Sequence, residues 1–366
     1  LKLLTQPGSG VKPLVDAINR AKSSVQIVIF RFDRREIEKA LVGAAKRGVS
    51  VHALIAYTNR GGEKHLRALE MRLLEAGVTV ARTADDLVRY HAKMMIIDRR
   101  ELYVLGFNFT FMDIERSRSF GVVTTSTKMV HEAVKLFEAD TRRQAYEPAS
   151  AAFVVSPQNS RKELAAFISE AKRDLVIYDP KIADSAMIRL LEEKAEAGVE
   201  VRIIGRLTKN SQKLKVRKLG QMRLHTRAMV RDGKAIFVGS QSLRTIELDS
   251  RREVGIIFCD TNGARQLSKT FECDWGPGTE QGAAEDGAQA TKVAQKVAKA
   301  VTKGLPPVGP VLAGAVEEVM GGDAPDGLDM EELELTVKET VRETVKDLVQ
   351  GAVEEEERER ETAGRR

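Results

Sequence analysis

Residues 90–110 read YHAKMMIIDRRELYVLGFNFT, and four polar groups stand out from this largely apolar run: His91, Lys93, Asp98 and Asn108. Side chains alternate along an extended strand, so His91 and Lys93 face one side together. A second stretch, HTRAMVRD with GSQS behind it, supplies His225, Arg227, Asp232, Ser240 and Ser242. An imidazole beside a cation, presented twice, suits attack on a phosphodiester. One neutral imidazole can be the nucleophile at phosphorus while the other, protonated, donates to the leaving oxygen. The two cations hold the non-bridging oxygens and neutralise charge that grows in the transition state. This chemistry needs neither a metal nor an organic cofactor, and none is expected. A lone His-x-Lys is more often a histidine at the edge of a core. The recurrence of His-x-basic-x4-Asp at an offset of 134 residues is what singles these groups out.

The elements that position them are themselves duplicated. AINRAKSSVQIVI (17–29) realigns with FISEAKRDLVIYD (167–179) at an offset of 150, and AAKRGVSV (44–51) with KAEAGVEV (194–201). Farther along the offset becomes 134, matching Gly121 with Gly255 and FEAD (137–140) with FECD (271–274). Between these blocks the first copy carries EKHLRALEMRLLEAG, a helical stretch that the second copy lacks. Each copy predicts helix, strand, helix, strand, a strand pair and a closing helix. VQIVIF has strand length, EIEKALVGAAKRG has helical spacing closed by Gly48, and VSVHALIA reads as a buried strand. That alternation argues for an α/β fold. SPQNS (156–160) reads as a bridge, which places the first half at 1–150 and the second at 151–275.

The paired motifs resemble those of the phospholipase D superfamily, whose signature is H-x-K-x4-D followed by a small-residue turn and Asn, normally twice in one chain. The likeness rests on HAKMMIID…LGFN and HTRAMVRD…GSQS and extends with the duplication over residues 1–275, leaving the tail uncovered. It implies two α/β/α-sandwich halves packed with pseudo-twofold symmetry, with the active site at their interface. It also implies a covalent phosphohistidine on His91, with His225 as general acid and base and Lys93 and Arg227 on the phosphate. Lipases, phosphatidyltransferases and nucleases share the signature. This chain departs from it at Arg227, at Ser242 in place of Asn, and where Leu105-Gly106 matches Gly239-Ser240. Family members often carry a carboxylate that orients the histidine ring. Glu253 lies 28 residues after His225, and the matching place for His91 holds Ser119, with Asp113 or Glu115 as substitutes. Asn108, Ser240, Ser242 and Glu253, with Asp98 and Asp232, form the expected binding and orienting set, although both aspartates serve equally well as groups that hold the fold.

Charge narrows the substrate. Of 59 Lys/Arg and 53 Asp/Glu overall, residues 276–366 hold 11 and 20, which leaves 48 against 33, net +15, in residues 1–275. Such a body expects an anionic partner. Residues 201–231 contain ten Lys/Arg and no acid, and read as the wall of an anionic substrate channel. They contain no Phe, Tyr or Trp, whereas grooves for single-stranded nucleic acid usually add stacking rings. LDSRREVGIIF after the second motif also resembles the phosphatidyltransferase and cardiolipin-synthase-like branch. The favoured expectation is therefore a metal-independent phosphodiesterase that hydrolyses or transfers the phosphatidyl group of phospholipids. A nuclease on DNA or RNA and a non-catalytic anion-binding scaffold are the alternatives. No run approaches the roughly 20 apolar residues of a membrane span, so a cytoplasmic chain, peripheral to an anionic membrane surface, is expected. It begins at Leu1 rather than Met, which leaves a secretory leader untested. Cys259 and Cys273 give no disulfide framework, and five histidines are too scattered for a zinc site. The tail opens with linker composition, GPGTEQGAAEDGAQA, and then places Val337, Val341, Val345 and Leu348 on one helical face. That face suits self-association or docking on the body, while the acidic EEEERERE argues against an anionic bilayer there.

Overall fold

In the computed structural model the first half runs β1 (Lys2–Gln6), α1 (Lys12–Arg20), β2 (Ser24–Ile29), α2 (Arg35–Lys46), β3 (Ser50–Ile55), α3 (Glu63–Glu75) and β4 (Thr79–Arg82). It continues with β5 (Arg89–Tyr90), β6 (Met94–Ile97), β7 (Glu101–Leu105), α4 (Phe111–Glu115), β8 (Ser117–Thr124) and α5 (Thr127–Arg142). The second half begins β9 (Phe153–Val155), α6 (Ser160–Ser169), β10 (Asp174–Ile182), α7 (Ser185–Glu196), β11 (Glu200–Leu207), β12 (Lys215–Arg217) and β13 (Arg223–Leu224). It closes with β14 (Arg227–Arg231), β15 (Ala235–Gly239), α8 (Thr245–Asp249), β16 (Arg251–Arg252), β17 (Val254–Cys259) and α9 (Thr261–Trp275). The structure describes residues 1–57, 63–208, 211–220 and 222–276, with a few isolated residues beyond, the helical Val341 and Val345 among them; the other expectations for the tail lie outside the described residues.

Apart from the short β5, β13 and β16, the strands form one sheet per half, in the orders β1-β8-β7-β6-β2-β3-β4 and β12-β11-β10-β14-β15-β17-β9. The duplication is visible in the register. Val25 faces Ile97 across β2 and β6, and Leu175 faces Arg231 across β10 and β14, the same pairing displaced by the two sequence offsets. α3 is the helix present in the first copy alone. Two details depart from the sequence reading. Each copy opens on a short strand, β1 or β9, and residues 156–160 form the turn from β9 into α6 rather than a bridge between halves.

Three cores follow from this layout. One fills the first half around Leu14, Ile27, Leu41 and Phe107, and one fills the second around Leu164, Ile177, Leu191 and Phe237. The third joins the inner faces of both sheets, bringing Met94, Val104 and Phe120 against Tyr178, Val238 and Phe271. Both halves consequently belong to one unit. A ladder of rings, Phe120–Tyr178–Phe271–Trp275, crosses the junction with centroid spacings of 5.3, 5.2 and 5.4 Å. Beside it the half-buried Arg118 guanidinium grips Asp274 at 2.7 and 2.9 Å, and Tyr178 donates to the same carboxylate at 2.6 Å. Gly106 marks a close approach of the halves. A Cβ there would sit 2.9 Å from the Phe120 carbonyl and 3.0 Å from that of Gly239, so no larger residue fits.

Candidate active site

Each motif strand begins at the junction and is pinned there by the other half. β5 pairs with β16, setting Arg89 opposite Arg251, and the His91 amide donates to the Arg252 carbonyl at 2.8 Å. β13 pairs with the start of β8, setting Arg223 opposite Ser117, and the His225 amide donates to the Arg118 carbonyl at 3.1 Å. The two histidines are thus fixed by reciprocal strand exchange. The stretch that precedes each one is too short to hold itself.

His91 is almost fully buried and engaged at both ring nitrogens. Its Nδ1 lies 2.9 Å from both carboxylate oxygens of Glu253, and the Lys93 ammonium donates to Nε2 at 2.8 Å. Phe30 stands edge-on to the ring at a centroid distance of 4.6 Å. Burial first, then the charges of Lys93, Arg227, Arg251 and Arg89, hold His91 well below its ordinary pKa. The ring is therefore neutral, with its proton on Nδ1 toward Glu253 and a lone pair on Nε2. Burial brings Lys93 down to about 7 against the pull of Glu253. Glu253, wholly buried, is pushed up by burial, with Lys93 and Arg251 opposing.

Sequence matching assigned Glu253 to His225; the structure places it on His91, in the other half. The offset explains this. A position equivalent by duplication lies across the pseudo-twofold junction, so the carboxylate of one copy reaches the histidine of the other. By the same symmetry Ser119 belongs to His225, and its buried hydroxyl makes no hydrogen bond among the described residues. His225 instead faces Asp113, with Nε2 at 2.9 Å from Oδ2, although the ring N–H is not aligned on that oxygen. Arg223 approaches Nδ1 at 3.3 Å and grips Asp113 at 2.5 Å. Asp113 also accepts from the Asn108 amide and side chain at 2.8 and 2.7 Å. Burial would raise Asp113, but His225 and Arg223 keep it well below the usual carboxylate range, so it stays ionised. Burial lowers His225 to about 4, with Asp113 opposing and Arg223 assisting.

Arg227 is the counterpart of Lys93, but its fork is woven into the second half. Nε donates to Ser242 at 2.9 Å, one terminal nitrogen donates to the His225 carbonyl at 2.9 Å, and the other lies 3.5 Å from Glu247. Glu247 also receives the Ser242 amide at 2.7 Å and guanidinium groups from Arg244 and Arg251 at 3.2 and 3.3 Å. Glu247 was missed in the sequence. The duplication carried the signal, since each motif Asn or Ser is followed five residues later by an acid, Asp113 or Glu247, that accepts its amide. Ser240 braces the start of β17, next to Glu253, its hydroxyl accepting from the Val254 amide at 3.1 Å.

Two expectations need correction. Asp98 and Asp232 are not in the site. They lie in the turns that follow β6 and β14, at the ends of these strands far from the histidines. There Asp98 accepts the amides of Lys22, Ser23 and Ser24 at 3.0, 2.7 and 3.0 Å, and Asp232 those of Lys172, Arg173 and Asp174 at 3.1, 2.7 and 3.3 Å. They hold the fold. The basic stretch 201–231 also does not act as one wall. Arg202 pairs with Glu272, Lys213 with Glu196, Lys215 with Glu200 and Arg231 with Glu170, while Arg217 lies over Trp275 at 4.6 Å. Among the described residues of the stretch, Arg223 and Arg227 are the two placed against a site histidine or its partners. Among the described residues no three His, Cys, Asp or Glu side chains gather as a metal site requires, and no helix is long and apolar enough to cross a membrane.

Comparison with known proteins finds a family match in both halves. The family described as "Cardiolipin synthase, PLD-like domain" matches residues 14–141 and 164–275, one block in each half. The mitochondrial cardiolipin hydrolase of Danio rerio is 26% identical over 130 residues, which is 34% of this chain and 56% of that protein. The polyphosphate kinase of Prosthecochloris aestuarii is 26% identical over 290 residues, 69% of this chain and 40% of that protein. The chain thus spans less than two thirds of the length of either relative. The crystal structure of polyphosphate kinase from Porphyromonas gingivalis superposes with a TM-score of 0.64 at 19% identity, covering 78% of this chain and 52% of that one. It shares the fold.

Proposed function

Because the chain belongs to the PLD-like cardiolipin synthase family, we propose that it is a phosphodiesterase or phosphatidyltransferase acting on phospholipids through a phosphohistidine on His91. The observation that carries this reading is the buried Glu253–His91–Lys93 array. It holds a neutral imidazole with its lone pair on the nitrogen that faces a cation. Once a phosphate sits against Lys93 and Arg227, Nε2 attacks phosphorus and the bond to the leaving oxygen breaks. That oxygen takes a proton from His225, whose pKa rises as the anionic substrate joins Asp113 beside it. In the second step water or an alcohol gives its proton to His225 and displaces His91. Glu253 stabilises the ring while its Nε2 is bonded to phosphorus.

A second reading has a specific observation behind it: the alignment with a polyphosphate kinase runs through both halves. Attack by the same histidine on a phosphoanhydride would use the same cations. The purified full chain is to be offered phosphatidylcholine and phosphatidylglycerol vesicles, tripolyphosphate and single-stranded DNA in parallel, with EDTA present. Headgroup release from vesicles supports the lipid reading. Turnover of tripolyphosphate alone replaces it with the anhydride reading, and turnover of DNA alone with the nuclease reading. Turnover of none leaves an anion-binding scaffold.

A further inference from the structure

A phosphate that belongs to a bilayer lipid is met only at the membrane surface, so the side chains around the mouth of the site decide whether it can be reached. Among the described residues of 1–276, six large apolar side chains are exposed. Three of the six, Tyr57, Val88 and Phe111, at 43, 52 and 47%, stand beside one short segment. It is 29–33, the chain leaving the carboxyl end of β2, where α/β sheets place their ligand crevices. The Ile29 carbonyl takes the Ala56 amide at 2.9 Å, one residue before Tyr57. The Phe30 ring has His91 at 4.6 Å and, at 5.5 Å, the guanidinium carbon of Arg89, the neighbour of Val88. Phe32 pairs with Phe109, and Asp33 accepts the Phe111 amide at 2.7 Å. The three apolar side chains thus ring the approach to His91, in a patch on the order of 20 Å across.

Cations are interleaved with them. Arg34, which is buried, and Arg116, which is exposed, lie against the Phe111 ring at 5.7 and 5.8 Å. Arg35 and Arg116 are both exposed and make no ion pair among the described residues. Nearby acids are engaged elsewhere: Glu36 and Glu115 face Arg34 at 2.9 and 3.4 Å, and Asp86 accepts from Tyr90 at 2.8 Å. The second half continues the pattern in part. Leu207 and Met222, both half-buried, match Tyr57 and Val88, an exposed Arg206 precedes Leu207, and Thr245 stands in the place of Phe111. A single exposed apolar residue is ordinary, whereas several around one mouth with cations between them mark a contact face. Apolar tips gain by entering the headgroup boundary of a bilayer, and cations beside them gain from anionic lipid. A nucleic-acid strand would use the cations and the two rings and leave Val88 in water.

We propose that Tyr57, Val88 and Phe111, with Arg35 and Arg116 among them, form a docking face that seats the mouth of the site on an anionic phospholipid bilayer. The inference rests on the lipid reading above and names the surface through which the chain reaches its substrate.

Flotation of the purified full chain is measured with vesicles of phosphatidylcholine alone and of phosphatidylcholine mixed with phosphatidylglycerol, at low and physiological salt. Wild type should bind the mixed vesicles, and more weakly at the higher salt. V88S/F111S and R35Q/R116Q, with folding checked by circular dichroism, should each bind them roughly tenfold less tightly. M71S/L74S should bind as wild type does, because α3 returns from the end of β3 and carries these exposed side chains away from the mouth. Turnover of soluble bis(p-nitrophenyl) phosphate should be unchanged in V88S/F111S, while headgroup release from vesicles falls. No binding by wild type, undiminished binding by folded V88S/F111S, or an equal loss in M71S/L74S overturns the docking face. A loss confined to R35Q/R116Q also overturns it and points to another polyanion, such as nucleic acid. If vesicles are bound through these residues while no substrate is turned over, the reaction fails and the face stands.

Discussion

Around His91 the partners are a carboxylate from the opposite half, on one ring nitrogen, and a titratable cation, Lys93, on the other. Around His225 the carboxylate is Asp113, set against the nitrogen that is free of any carboxylate in His91, and the nearby cation Arg227 bonds to the backbone of His225 rather than to its ring. The two halves share strand order and register, so topology does not cause the difference. It comes from three side chains: Ser119 where the other copy has Glu253, Ser242 where it has Asn108, and Arg227 where it has Lys93. An imidazole braced by a carboxylate and relieved of its proton suits a nucleophile. One whose ring faces an ionised aspartate suits a group that gains and loses a proton.

The comparison breaks most readily at the histidines. His91→Ala and His225→Ala should each reduce turnover to below a few per cent of wild type, yet for different reasons. With bis(p-nitrophenyl) phosphate, whose leaving group needs no proton, His225→Ala should give a burst of about one equivalent of nitrophenol and then stall. His91→Ala should give no burst. A burst in His91→Ala, or none in His225→Ala, would reverse or abolish the assigned roles.

The next largest effect is expected at Arg227. Arg227→Ala should cost on the order of 100-fold or more in rate, as loss of a group that stabilises transition-state charge does. Arg227→Lys restores the residue of the family signature, which taken by itself favours retained activity. The structure argues otherwise, because an ammonium cannot hold Ser242, the His225 carbonyl and Glu247 at once. Arg227→Lys should lose roughly tenfold, and R227K/S242N, which copies the Lys93–Asn108 pair, should recover part of that loss. Steady-state rates of the four proteins decide the matter, and a fully active Arg227→Lys would show that the fork is dispensable.

What the sequence disclosed follows the same division. Repeats, strand order and the paired His-x-basic motifs were legible because duplication prints one pattern twice. Which carboxylate meets which histidine was not, because spacing along the chain counts within a half and the contact is made across the junction. The roles of Asp98 and Asp232 were ambiguous because a motif records co-occurrence, not the length of strand between its members. The ion pairs that neutralise much of 201–231 join it to Glu196, Glu200 and Glu272, partners outside the stretch that a local charge count omits.

A smaller effect separates the two cations by pH. Lys93 sits at about 7 in the buried site, whereas a guanidinium remains charged. Below that pH Lys93 carries its charge, and above it the charge is lost, so kcat/KM should fall about tenfold per pH unit on the alkaline side. Lys93→Arg should move this limb out of the accessible range even if the absolute rate drops. A limb unchanged in Lys93→Arg would assign it to another group.

The smallest effect is expected where the halves agree. Asp98 and Asp232 both lie in the left-handed region, with φ of 52° and 53°, and each accepts a run of three amides just past the far end of its motif strand. Asn tolerates that backbone region and keeps an acceptor oxygen, so Asp→Asn removes charge with little strain. Turnover should stay within about twofold of wild type for both variants, since neither group approaches the site. Stability should drop by about 1 kcal/mol, the scale of a lost cap. The pH dependence has a definite sign. The amides hold Asp98 down to about 2 against the effect of burial, so its contribution is present above the unfolded carboxylate pKa and fades as pH falls toward 2. Asp98→Asn should therefore lose stability near neutrality and none at pH 2, flattening the acid limb of a urea-midpoint series, and Asp232→Asn should do the same. Unequal losses would show that the duplicated halves differ in their scaffolding as well as in their chemistry. A large loss of turnover in either variant would return these aspartates to the site.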